Sequence, residues 1–159
     1  MSPYEPAPSR TPKAFADLRA FRIFQQVPDA KLATLSSLAR EQIVGAGQII
    51  YDQGSTGDDF FVMLAGTVDG HRSTPSGRQQ VIRIGVGQIF GEVSFLDSNP
   101  RDATTIAAGG AALLCFNGAL VRRAIASDHE LAAALMRTFW HSLAAKIRQA
   151  NAFLGDLLP

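Results

Sequence analysis

Apolar residues change their spacing twice along this chain of 159 residues, and each change marks a change of element. In KAFADLRAFRIFQQ, residues 13–26, they fall at Phe15, Leu18, Phe21, Ile23 and Phe24, a helical spacing that breaks at Val27-Pro28. Asp29 then stands where a helix cap is wanted, ahead of Leu32, Leu35 and Leu38. From Gln42 the pattern turns into short runs rich in Val, Ile, Phe and Thr: IVGAGQIIYDQG, DDFFVMLAGTVDG, RQQVIRIGVGQIF and TTIAAGGAALLCF. Glycine-bearing turns separate them at intervals of about 8–15 residues, the pattern of short antiparallel strands rather than βαβ units. After Phe116 glycine nearly vanishes; Asn117 is placed to cap a short helix through Ala126, and Ser127 or Asp128 a long one over about 128–155. The fold predicted is mainly β within the α+β class: an antiparallel, jelly-roll-like β-roll flanked by N-terminal helices and a long C-terminal helix.

That last helix carries two apolar faces. Met136, Trp140, Leu143, Ile147, Ala150, Leu154 and Leu157 alternate spacings of four and three, a heptad seam, while Leu131, Leu135 and Phe139 form a second row. Two faces need two partners. The row is expected to pack on the β-roll. The seam, residues 136–157, is expected to pack on its counterpart in a second copy, giving a homodimer, or else to fold back on its own domain. Trp140 is assigned to that seam rather than to a ligand.

Composition narrows the function classes. The chain is 47% hydrophobic and 18% charged, as a globular domain is, and its net charge of +1 offers no electrostatic case for binding DNA or a membrane surface. Cys115 is the only cysteine, so no internal disulfide forms, and a reducing cytoplasm is the expected setting. No uninterrupted apolar run is long enough to span a bilayer, and MSPYEPAPSRTPKAF is no signal peptide. Pro3, Pro6, Pro8 and Pro12 predict an extended, flexible arm over residues 1–12, with one domain over 13–159. His71, His129 and His141 fall on different elements, so no metal cluster is expected, and Cys115 has no evident base beside it. The chain is accordingly expected to be no enzyme and to hold no cofactor. Asp58 reads as a turn residue, and Arg122-Arg123 as a solvated helix face.

One stretch breaks the apolar rhythm: FGEVSFLDSNPRDATTI, from Phe90 to Ile106. An arginine such as Arg101 presents a planar fork that holds phosphate oxygens in pairs. Gly91 lets the backbone approach closely, and a helical turn through Glu92, Val93 and Ser94 aims free N–H groups at an anion. The carboxylate of Glu92 suits hydroxyls rather than phosphate, so Glu92 and Arg101 together would grip the two sides of a ribose-phosphate unit. Pro100 stiffens the turn that returns Arg101.

This stretch resembles the phosphate-binding cassette of cyclic nucleotide-binding domains. The family pattern appears as Phe90-Gly91-Glu92, the apolar segment Val93 to Leu96, the turn Asp97 to Asn99, Pro100-Arg101, the variable Asp102, and Ala103-Thr104. A second family signature stands upstream in GSTGDDFFVMLAGTV, at Gly54, Gly57, Asp58, Phe60, Gly66 and Val68. The resemblance covers roughly residues 15–155. It implies a sensor of cAMP or cGMP in which Glu92 accepts from the ribose 2′-hydroxyl and Arg101 clamps the cyclic phosphate. Gly91, Val93, Ser94, Ala103 and Thr104 would line the pocket, and the long helix would act as a lid. Arg137, Thr138, His141 and Ser142, the polar residues on its central turns, are the candidates for contacts with the base.

Asp102 departs from the pattern, which has Ala, Ser or Thr there. It turns outward, or it neutralises Arg101 and leaves a relic pocket, or it reads the N–H edge of a guanine. No length remains after the long helix for a DNA-binding appendage, so signalling is expected to pass to a separate, unidentified effector unless the sequence is one domain of a longer chain. Met1 and the arm favour a natural start. The alternative is a ligand-free interaction module of the same fold.

Overall fold

The structure, a computed structural model, describes residues 11–158. Helix α1 (Thr11–Ala20) leads through a 3-10 turn (Arg22–Phe24) to α2 (Asp29–Ser37). Eight strands follow: β1 (Ala39–Val44), β2 (Ile49–Tyr51), β3 (Phe60–Ala65), β4 (Val68–Thr74), β5 (Gly77–Ile84), β6 (Ile89–Phe90), β7 (Thr104–Ala107) and β8 (Ala111–Phe116). The short helix α3 (Glu92–Asp97) interrupts them between β6 and β7, and α4 (Gly118–Ala126) and α5 (His129–Leu157) close the chain. The strands form two four-stranded antiparallel sheets, in the orders β1-β8-β3-β6 and β2-β7-β4-β5, which is the β-roll expected.

Strands β3, β6 and β8 of the first sheet are largely buried on both faces, and strand alternation divides their side chains between two cores. Phe60, Val62, Leu114 and Phe116 point to the helices, where they join Leu18, Phe24, Leu32, Leu35, Phe95, Leu131, Leu135 and Phe139. Phe61, Met63, Leu113 and Cys115, one position along, point into the roll against Val44, Val68, Ile84 and Phe90. The row Leu131, Leu135, Phe139 is thus buried, in contact with strand and helix side chains alike. Phe60 stands at the centre, stacked on Phe116 at 4.8 Å and edge-on to Phe95 and Phe139 at 5.3 and 5.0 Å. These rings tie α3 and α5 to the same strand.

Several boundaries differ from expectation, each for a local reason. The first helix stops at Ala20 because Arg19 takes over the carbonyls beyond it, donating to Phe24 O at 2.9 Å and Val27 O at 2.7 Å. It begins at Thr11, within the span expected to be an arm; a proline in the first helical turn removes only an N–H that lacks a helical partner anyway. Residues 1–10 of that arm lie outside the described residues. Asp29 does not cap α2, whose N-cap is Pro28, but pairs with Arg19 at 2.7 Å. Asn117 does cap α4, accepting from Leu120 N, and of the two candidates Asp128 caps α5, accepting from Leu131 N. Asp128 also binds Lys31 of α2 at 2.9 Å, fixing the start of the last helix.

Truncating Phe60 to Ala removes the ring shared by these contacts. The expected loss of stability is about 3–5 kcal/mol, read as a fall in the urea midpoint with little change in slope.

Candidate functional site

Arg101 enters the site from the turn after α3. Its guanidinium is buried, donating from Nη1 to Gly91 O at 2.8 Å and from Nη2 to Asp59 O at 2.7 Å, and it lies 4.2 Å over the Tyr51 ring. Five N–H donors belong to a guanidinium, so donors remain for an anion after these two bonds. The Arg101 main chain is tied as firmly, its N–H to Ser55 O at 2.9 Å and its carbonyl to Gly54 N at 2.7 Å. The two glycine-bearing signatures of the sequence are therefore one structural unit. Burial pushes the Tyr51 phenol up to about 12, against the lowering pull of the Arg101 cation, so the ring stays neutral beneath the guanidinium.

Glu92 opens α3 and is fully buried. Its Oε1 accepts from Ser142 Oγ at 3.1 Å and from Lys146 Nζ at 2.5 Å, both on α5, while Oε2 is buried without a partner. Gly91 caps α3 with φ +82°, and a Cβ there would stand 2.8 Å from Asp59 O and 3.1 Å from Arg101 Nη1. Only glycine fits this position.

Glu92 and Arg101 line one hollow of about 360 Å³ together with Gly91, Val93, Ser94, Asp102 and Ala103. Its remaining walls are Tyr51, Gly70, Arg72, Val81, Ile82, Ile84, Phe90 and Thr105 of the sheets and Leu143, Lys146, Ile147 and Ala150 of α5. The hollow is of ligand-binding size. Beside the charged pair, its lining includes the apolar side chains Val81, Ile82 and Ile84 of β5 and Leu143, Ile147 and Ala150 of α5.

Not every candidate residue is there. Thr104 points the other way, its Oγ1 accepting from Gln53 N, and strand alternation puts Thr105 inside in its place. Thr105 Oγ1 is buried; the Tyr51 hydroxyl is near enough to be influenced by it but lies outside hydrogen-bonding geometry. Asp102 sits exposed at the rim. Arg137, Thr138 and His141 face a different hollow, about 690 Å³, between α5, the segment Ala20 to Val27 and the turn Val86 to Gln88. That hollow is the larger, but it holds none of Glu92, Arg101 and Tyr51. Ser142 borders it and still reaches Glu92. Arg122 is solvated, its side chain 42% exposed, and bonded as well: it binds Asp58 and the Phe95 carbonyl and lies 4.4 Å over the Phe95 ring, pinning α4 to α3. Asp59, beside Asp58, accepts the Gly118 N–H at 3.0 Å. Among the described residues no three His, Cys, Asp or Glu side chains gather as metal ligands, and no helix is long and apolar enough to cross a membrane.

Replacing Gly91 by Ala forces a side chain into left-handed backbone and against Arg101. We expect a destabilisation of about 1–2 kcal/mol from the backbone alone, measured by urea denaturation. The Arg101 Nη1 bond to residue 91 should also be lost in a crystal structure of the variant.

Residues 41–128, just over half of the chain, match the sequence model of the family described as cyclic nucleotide-binding domain. The CRP-like cAMP-activated global transcriptional regulator of Mycobacterium tuberculosis is 28% identical over 137 residues, 86% of this chain and 59% of the regulator. A cAMP-dependent protein kinase regulatory subunit of Mycosarcoma maydis is 29% identical over 87 residues, 55% of this chain and 17% of that subunit. The chain thus spans less than two thirds of the length of these relatives. Among solved structures, a cyclic nucleotide-binding domain from Methylobacillus flagellatus KT superposes with a TM-score of 0.81 over 94% of this chain and 85% of the other, at 20% identity, a likeness of fold. With the family match, the β-roll and the Phe90–Thr104 segment in agreement, the chain belongs to the cyclic nucleotide-binding domain family.

Proposed function

We propose that this domain is a non-enzymatic sensor of a cyclic purine mononucleotide, cAMP or cGMP, that passes its state to a separate partner protein through α5. The observation that carries the reading is the pairing of a buried guanidinium and a buried carboxylate in one hollow, with Glu92 Oε2 unsatisfied. A buried polar atom without a partner is costly, and a ligand hydroxyl removes the cost. The cyclic phosphate would lie on Arg101, the ribose on Glu92, and the purine between Val81 and Ile82 of β5 and Leu143, Ile147 and Ala150 of α5. The curated relatives named for cAMP favour the adenine nucleotide. The rival reading, an interaction module without ligand, draws on Arg101 being already engaged with two carbonyls and on Asp102 at the rim.

The seam supports a homodimer. Trp140 is 76% exposed, and Met136, Ile147, Leu154 and Leu157 are also exposed along α5 of the single chain. Apolar side chains in such a row are covered in most stable assemblies.

Calorimetric titration with cAMP and cGMP should show binding of at least one, and Arg101→Ala should weaken it about a hundredfold or more, because a buried phosphate loses its cation. Failure of both nucleotides to bind the wild type would leave the interaction module. An unchanged preference between the two in Asp102→Ala would remove that carboxylate from base recognition.

Sedimentation should find a dimer for the wild type. Leu154→Asp with Leu157→Asp, both remote from the hollow, should give a monomer with nucleotide binding retained. A monomeric wild type would refute the seam as an interface.

A further inference from the structure

The larger hollow, about 690 Å³, has no part in the nucleotide reading. Arg22 lines it from the 3-10 turn, and Arg137, His141 and Arg148 line it from α5, while no Asp or Glu lines it. None of these four side chains forms an ion pair, a hydrogen bond or a cation-π contact among the described residues. Other cations are matched: Arg19 pairs with Asp29, Lys31 with Asp128, Arg83 with Asp69, and Lys146, which also borders this hollow, with Glu92. The whole chain carries only +1, so a concave surface with three arginines, a histidine and no carboxylate is a local excess of charge. Arg137, His141 and Arg148 stand at i, i+4 and i+11 on α5, which puts them on one face and spreads them along about 16 Å of the helix. One phosphate is too compact to meet all three, whereas an extended peptide covers that distance in about five residues. A helical occupant of that length, about 10 Å across, takes up roughly 1,200 Å³, more than the hollow offers. Apolar side chains share the lining, among them Ile23, Val27 and Val86, the last 55% exposed.

We propose that this groove is a docking site for a short, extended, acidic segment of a partner protein, one that carries apolar side chains among its carboxylates. The inference rests on the reading that the domain acts through a separate partner, and not on the identity of any nucleotide. Carboxylates of the segment take the guanidinium forks of Arg22, Arg137 and Arg148, each fork suited to two oxygens at once. Its apolar side chains cover Ile23 and Val86. The cationic face lies about a third of a turn round α5 from Trp140 and Ile147, so the segment and a second copy on the seam use different sides of the helix. α5 is also a wall of the smaller hollow, so a partner held here touches the same helix that borders the nucleotide pocket.

The test is fluorescence anisotropy on the full chain, without nucleotide. The probes are labelled peptides of about eight residues in which Asp or Glu alternates with Val, Leu or Phe, beside the same peptides with Asn or Gln for the acids. At least one acidic peptide should bind, more tightly at low salt, and its amide counterpart about tenfold or more weakly. Arg137→Glu with Arg148→Glu should weaken the acidic peptide about ten- to a hundredfold, since two attractions become repulsions. Arg78→Glu with Arg123→Glu changes the net charge equally at exposed cations outside the hollow and should alter the affinity less than about twofold. Should the first pair not fold, as circular dichroism would show, Arg137→Gln with Arg148→Gln gives the same comparison with a smaller loss. Equal weakening by the two pairs of reversals would make the binding a matter of overall charge. Tighter binding of an oligothymidylate of the same length, or displacement of the peptide by an equal concentration of tripolyphosphate, would make the groove a site for nucleic acid or phosphate. Binding of none of the acidic peptides would leave it a solvated surface. Each of these results overturns the proposal and leaves the nucleotide site untouched, just as failure of cAMP and cGMP to bind would leave this groove standing.

Discussion

A guanidinium withdrawn from water must be surrounded by acceptors, and the polar part of this domain is arranged around meeting that demand for Arg101. Its two side-chain bonds end on main-chain carbonyls at Asp59 and Gly91, so the start of β3 and the end of β6 must both be where they are. Gly91 must be left-handed and without a side chain, and Tyr51 must present its face from β2. The main chain of Arg101, zipped to Gly54 and Ser55, adds the loop before β3. Four separate segments converge on one cation. A hollow with a fixed positive wall follows from that convergence.

The opposite wall is less rigid in origin. Glu92 is placed by α3, but its partners come from α5, fifty residues and more away along the chain. α5 itself is anchored over its first half, where Asp128 meets Lys31 and where Leu131, Leu135, Phe139 and Ser142 are buried. From Ala145 to Leu158, every residue except Lys146 is exposed. The contacts with Glu92 therefore fall at the boundary between the anchored and the unsupported parts of the helix. A change in the pocket acts where the helix has fewest competing constraints, which is where a small change in contact energy shifts a helix most.

Legibility in the sequence followed the range of the interactions. The segment from Phe90 to Thr104 could be read because its parts are neighbours along the chain: Gly91, Glu92, Pro100 and Arg101 are brought together by one short helix and one turn. The β-roll was readable from alternation and glycine spacing, as the two cores on either side of β3 and β8 bear out. Tyr51, Arg72, Thr105 and Lys146 were not found, because what brings them to the hollow is pairing and packing across the fold. The pattern Ala103-Thr104 points to Thr104; the register of β7 against β4, with Thr105 opposite Gly70, puts Thr105 inside instead. Gly70 has room for no side chain, with Ile82 2.6 Å from where its Cβ would be, so the floor beside Thr105 is set by a neighbouring strand. The residues Arg137, Thr138 and His141 were selected for polarity on the central turns of α5, and polarity alone does not say which way a helix is rotated. Lys146 was readable in principle: it is the i+4 neighbour of Ser142 and adjoins Ile147 of the seam. Its relevance depends on knowing that Glu92 lies beneath.

Net charge sharpens the account of how the hollow would treat an anion. A domain of +1 creates little long-range field, so approach of a charged ligand is not strongly steered. Discrimination must come from short-range groups whose water has already been removed, where a charge-charge contact is stronger than at the surface. Arg101 meets that condition by burial, and Asp102, exposed at the rim, does not. Screening by solvent weakens the repulsion from Asp102 far more than the attraction from Arg101. A carboxylate next in sequence to the buried arginine would thus be compatible with anion binding in the hollow, because the two neighbours stand in different dielectric surroundings. Glu92 likewise stands apart from solvent, fully buried and bonded to Lys146 within the protein.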